Sequence, residues 1–137
     1  YFAQHPKVKA YLEATLAEGR EKGYVATLLG RRRYLPELKS SNPDARGAAE
    51  RMAMNAPIQG SASDLIKIAM VRMAQELQAR GLRCRMLVQV HDELFFEVSE
   101  DEIEALELLA REVMEGAMAL SVSLKVDIKL GRDWSEV

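Results

Sequence analysis

His91-Asp92-Glu93 lies between two apolar runs and is the densest group of reactive side chains in the chain. Adjacent carboxylates at a tight turn repel each other unless a cation or water relieves them. A divalent metal such as Mg²⁺ would do so, because it takes hard carboxylate oxygens. Taken alone, the triplet also fits a solvated turn. A second set, Arg51, Asn55 and Gln59, recurs at every fourth residue, one face of a regular helix. Such donors could reach acceptors in a duplex minor groove. Purine N3 and pyrimidine O2 stand there at every pair, so the contact senses shape more than sequence. A polar helix face turned to water is the simpler account of that spacing. A third set, Arg31, Arg32 and Arg33, with Arg20, Lys22 and Lys39 nearby, could meet phosphates. Alternation along a strand sends Arg32 opposite to its neighbours, so the three cannot share one contact. Two histidines, His5 and His91, are too few for a histidine metal site. Ser61 and Ser63 occupy cap-type positions with no visible base. Cys84, the single cysteine, excludes a disulfide framework and reads as packing.

Periodicity defines the elements that must carry these groups. Pro6 and the spacing of Val8, Tyr11, Leu12, Thr15 and Leu16 predict a helix over 6–22, stopped at Gly23. Residues 24–35 read as a small basic hairpin turning at Gly30. From Asp44 the pattern is helical again. Pro57 and Gly60 interrupt it, and Ser61 with Asp64 resembles a new start with a capping-box variant. The prediction is therefore a helix–kink–helix over about 44–80. Residues 85–98, RMLVQVHDELFFEV, read as a hairpin with His91-Asp92-Glu93 at its tip. Ser99 and Glu102 form a capping box for the next helix. Val122, Leu124, Val126, Ile128 and Leu130 then alternate with polar residues as a last strand. The fold class is α+β: an antiparallel sheet, made of the tip-bearing hairpin and the C-terminal strand, with packed helices.

At 137 residues the chain has one domain's length and can bury a core. Its short apolar runs exclude a membrane span, and no signal-peptide pattern opens it. A cytoplasmic location follows. The net charge of −2 argues against a nucleic-acid partner, but it averages two unlike stretches. Residues 1–85 hold 15 Lys/Arg against 8 Asp/Glu, and residues 86–137 hold 4 against 13. Charge asymmetry of this kind can mark a basic surface that meets an anion, and ordinary surface variation also produces it. Part of the C-terminal acidity is the first turn of a helix, where the dipole favours anions.

In order along the chain, GYVATLLGRRRYLPEL, AAERMAMNAPIQGSASDLIKIAM, LVQVHDELFFEV and a closing GRDWSEV resemble the C-terminal part of family A DNA polymerases, the bacterial DNA polymerase I type. The resemblance covers nearly the whole chain. QVHDE within its apolar flanks matches the family's motif C, and NAPIQGSASDLIK is nearly as specific. It implies that residues 1–45 form the end of the fingers subdomain and 46–137 the C-terminal part of the palm, with the sheet of the palm type. It implies Asp92 as a catalytic, metal-binding aspartate and Glu93 as a supporting carboxylate. His91, Arg51, Asn55 and Gln59 correspond to primer–template contacts, and Arg31 and Arg33 of the basic hairpin lie toward the template. The cofactor would be Mg²⁺, two ions in the complete enzyme. The reaction would be templated transfer of a nucleotide from dNTP to a primer 3′-hydroxyl, in a bacterial or phage-like setting.

The family also needs a second aspartate on an upstream strand and a fingers helix whose Lys, Arg and Tyr grip the nucleotide. Neither motif occurs in this sequence, which starts at Tyr1 without a methionine. The expectation is a piece of a longer polymerase that does not extend primers alone. An exposed sheet edge would favour self-association. The alternative is a non-catalytic DNA-binding module that reuses the palm surface. A metal-dependent nuclease using Asp92 and Glu93 would lack further carboxylates in a suitable context.

Overall fold

Helix α1 (Pro6–Lys22) starts with its proline in the first turn and stops at Gly23, as the spacing predicts. The computed structural model describes residues 4–136. Next come β1 (Tyr24–Ala26), β2 (Arg32–Tyr34), a 3₁₀ turn (Pro36–Lys39) and the long helix α2 (Pro43–Ala79). They are followed by β3 (Arg85–Val90), β4 (Glu93–Glu97), a 3₁₀ turn (Glu100–Glu102), α3 (Ile103–Glu115) and a last 3₁₀ turn (Trp134–Glu136). The chain forms two compact units, one reaching to Asp64 and one running from Leu65 onward. The predicted α+β class holds: helices accompany two antiparallel hairpins.

In the first unit the core gathers Val25, Leu35, Leu38, Ala49 and Ala53. The basic hairpin is short, pairing Tyr24 with Tyr34 and Ala26 with Arg32. Gly30 supplies its turn at φ 81°, a backbone conformation that costs glycine nothing. Arg31 lies just outside the strand.

The predicted new helix start at Ser61 is a correction. α2 is one helix through Pro57. Ser61 is buried inside it, and its hydroxyl donates to the Pro57 carbonyl at 2.5 Å rather than capping a new helix. Asp64 completes no capping box; its carboxylate accepts from Thr27 Oγ1 at 2.7 Å and from Arg31 Nε at 2.8 Å. Cap-like residues were therefore turned to tertiary bonds. Gly60 permits the hairpin's approach, because a Cβ there would stand 2.6 Å from Thr27 Cγ2. Alanine normally favours a helix interior over glycine by about 1 kcal/mol. Here Gly60→Ala is expected to lose about 1–2 kcal/mol, because the added methyl overpacks the contact. Adding Thr27→Ser removes Cγ2, keeps the hydroxyl and should restore most of the loss in urea unfolding. A Gly60→Ala protein more stable than the parent would refute the constraint.

In the second unit Met73, Leu77, Cys84, Leu106, Leu109, Ala110 and Val113 form the core, with Phe96, Val98 and Ile128 against it. Cys84 is thus packing, as predicted, and burial raises its thiol pKa. The predicted cap at Ser99 is a second correction: its side chain makes no cap bond. Glu102 instead accepts from the Arg83 backbone N–H at 2.9 Å and from Arg83 Nε at 3.0 Å.

The last strand is a third correction. Leu124, Val126 and Ile128 are half-buried and alternate with exposed Lys125, Asp127 and Lys129, as the pattern requires. Among the described residues, however, this segment joins no ladder, and the sheet contains β3 and β4 alone. Side chains of α3 take the backbone groups a ladder would use. Val126 N–H donates to Glu115 Oε1 at 3.1 Å, and Arg111 Nη1 donates to the Val126 carbonyl at 2.7 Å.

Candidate functional site

The first unit carries a groove of about 300 Å³ along α2, lined by Arg33, Arg51, Met52, Asn55 and Gln59 among others. Arg51, Asn55 and Gln59 are all exposed on that helix, while Ala53 and Pro57 between them are buried. Helical spacing therefore persists across the proline and puts the three polar side chains on one side. Arg33 joins them from β2. Its Nη2 lies 3.5 Å from Met52 Sδ, a weak acceptor that leaves most of the guanidinium's donors for other partners.

The three hairpin arginines part ways, as strand alternation predicts for Arg32. Arg32 lies over the Tyr24 ring at 4.6 Å. A hydrogen bond with Tyr34 and the nearby Tyr24 raise its pKa further, so it is a fixed cation. Arg31 turns to the helix: besides Asp64, its Nη2 donates to the Gly60 carbonyl at 3.0 Å.

In the second unit His91 and Asp92 form a two-residue turn, because Val90 pairs with Glu93 across the hairpin. His91, Asp92 and Glu93 are all exposed. The turn needs a positive φ at its first position, and His91 adopts φ 53°. Histidine enters this region more readily than most side chains, but at a cost. The Gln89 side chain donates to the His91 carbonyl, tying the tip back to β3. Below the tip the ladder shifts register between Met86 and Val88. Such a bulge adds twist and re-aims the strand end. Arg85 and Glu97 close the hairpin's base as an ion pair. Phe95 stacks on Trp134 with ring centroids 4.1 Å apart and planes 9° from parallel.

Asp92 and Glu93 are adjacent hard-oxygen donors. Among the described residues no group of three His, Cys, Asp or Glu is gathered that could hold a metal. Mg²⁺ is commonly bound through one or two carboxylates, with waters and phosphate oxygens filling its shell. The pair suits that donor set as a part of it.

The sequence pattern missed Thr27 and Asp64. The available signal was a carboxylate within an apolar stripe, since a buried Asp requires partners.

A model of DNA polymerase family A matches residues 1–136. DNA polymerase I, thermostable, of Thermus thermophilus is 54% identical over 134 residues, covering 98% of this chain and 16% of that protein. DNA polymerase I of Bacillus subtilis (strain 168) is 55% identical over 134 residues, covering 98% of this chain and 15% of that protein. The chain thus spans about one-sixth of the length of these curated relatives. A solved POL domain of Pol1 from M. smegmatis, in complex with DNA primer-template and dNTP, matches with a TM-score of 0.97 at 54% identity. That match covers 99% of this chain and 24% of the solved one.

Proposed function

Since the chain belongs to DNA polymerase family A, we propose that it works as part of a longer DNA-directed DNA polymerase, supplying primer–template contacts and one catalytic carboxylate. The observation that carries this reading is the groove, where Arg33, Arg51, Asn55 and Gln59 are brought together around α2. Arg51 and Arg33 neutralise backbone phosphates. Asn55 and Gln59 approach minor-groove acceptors, with Gln59 nearest the primer end. Because those acceptors are common to all base pairs, the contact checks pair geometry without reading sequence. His91 lies toward the primer terminus. In this assignment residues 1–45 end the fingers and 46–137 belong to the palm, in a cytoplasmic enzyme. No described helix is long and apolar enough to cross a membrane.

Asp92 would hold Mg²⁺, and Glu93 would support the same site from the next position. The chemistry supplied by two such ions, when bound, is a lowered pKa at the primer 3′-hydroxyl and charge compensation for departing pyrophosphate. The protein's own part is to present the Asp92 carboxylate at a braced turn. Gln89 holds the His91 carbonyl, and the bulge and Arg85–Glu97 pair constrain the hairpin behind it. Two carboxylates do not complete a two-metal site, so the chain alone should bind DNA without extending it.

The test compares this chain with a complete polymerase carrying the same residues. Both are given labelled primer–template, Mg²⁺ and dNTPs. The expected result is primer–template binding by both and extension by the complete enzyme alone. Templated incorporation by the 137-residue chain above an Asp92→Ala control would refute the division of labour. Failure of the chain to bind DNA while Arg51→Ala leaves the complete enzyme's affinity unchanged would refute the groove assignment.

A further inference from the structure

We propose that Arg31 is a positioning residue: its bridge to Asp64 and Gly60 sets the placement of Gln59 in the groove, and Arg31 itself makes no phosphate contact. This rests on the groove being the DNA-contacting surface. Arg31 Nε donates to Asp64 Oδ1 at 2.8 Å, and Nη2 donates at 3.0 Å to the carbonyl of Gly60, the residue after Gln59. Thr27 holds the other Asp64 oxygen at 2.7 Å, and its own Oγ1 accepts from the Arg31 backbone N–H at 3.2 Å. One turn earlier, Leu28 N–H donates to Ser61 Oγ at 2.9 Å, and that hydroxyl donates to the Pro57 carbonyl at 2.5 Å.

These bonds fall on the turn of α2 that follows a proline. Pro57 has no N–H, so the helix lacks its usual bond back to residue 53. The hairpin bonds to the turn that follows, at Gly60, Ser61 and Asp64, and the Ser61 hydroxyl reaches back to the Pro57 carbonyl. Gln59 lies between Pro57 and these contacts, next to the Gly60 carbonyl that Arg31 holds. Arg31 therefore places two of its guanidinium N–H groups on the helix, whereas Arg33 lines the groove beside Met52.

The experiment uses the complete polymerase with Arg31→Ala, Arg33→Ala and Gln59→Ala. Affinity for primer–template is measured against salt, because each lost phosphate contact flattens the log–log slope by about 1. Arg33→Ala should flatten it, and Arg31→Ala should leave it unchanged. Extension is then measured with a 3-deazapurine at the primer terminus, which lacks the N3 acceptor. The parent should slow about 10-fold on losing that hydrogen bond. Arg31→Ala should slow less than about 3-fold, as should Gln59→Ala, because neither keeps the bond to lose. A flattened slope in Arg31→Ala, or full sensitivity to the analogue, overturns the proposal. Full sensitivity in Gln59→Ala overturns the groove reading and this inference with it. If Arg31→Ala does not fold, Arg31→Lys carries both measurements. It keeps a cation at Asp64 but lacks the forked guanidinium that also reaches Gly60.

Discussion

Asp92→Ala in the complete polymerase is expected to lower primer extension by about 1,000-fold while leaving primer–template affinity within about twofold, as for a group that stabilises charge only in the transition state. Two residues, His91 and Asp92, close the hairpin, and His91 bears a positive φ of 53° to do so. Asp92 is thereby fixed at an exposed tip instead of being free to fold back on the strands. In the proposed role Asp92 holds charge, so Asp92→Asn should lose nearly as much activity as alanine despite its matching shape. Glu93→Gln, at a supporting position, should cost about 10-fold, a change of about 1.4 kcal/mol in barrier. Single-turnover extension at saturating dNTP reads the chemical step, and a filter-binding titration reads DNA affinity. An Asp92→Ala enzyme retaining a tenth of parental turnover would refute the assignment.

Asp64→Ala should cost about 2–3 kcal/mol of unfolding free energy, because it strands a buried hydroxyl and breaks a charge-assisted bond. Asp64 is 8% exposed and Thr27 is equally buried, so neither can exchange its lost partner for bulk water. The half-exposed Arg31 can, which keeps the cost below that of a fully buried ion pair. Asp64→Asn keeps an acceptor for Thr27 and should lose about half as much. Urea unfolding followed by circular dichroism measures both. A loss under about 0.5 kcal/mol, the scale of a surface substitution, would mean that the bridge contributes little to stability.

Local chemistry was legible wherever the deciding interactions were local. Pro6 and Gly23 bracket α1, Gly30 turns the first hairpin, and the second hairpin lies where alternation placed it. The Arg51, Asn55, Gln59 face was readable too, although Pro57 argued against it. Helical spacing persists across the proline, where the Ser61 hydroxyl holds the Pro57 carbonyl and itself accepts from the hairpin. Ser61 and Asp64 depart from their local signature because their partners are distant in sequence. A serine with an acidic residue three positions later is a cap signature when only the nearby backbone is considered. Their true partners, Leu28 and Thr27, are 33 and 37 residues away. The closing strand failed differently. Its alternation is real, but a strand exists only with a ladder partner, and here α3 side chains occupy the backbone groups of Val126.

The Phe95–Trp134 stack gives the molecule an optical property. Trp134 is the chain's single tryptophan, and its ring lies on a β4 residue two positions beyond Glu93. Its emission therefore carries no background from a second indole. Light collected from this one ring follows whether the C-terminal turn stays seated on the hairpin. An unlabelled sample thus carries its own reporter beside the acidic tip, readable in a stopped-flow cell on the timescale of mixing.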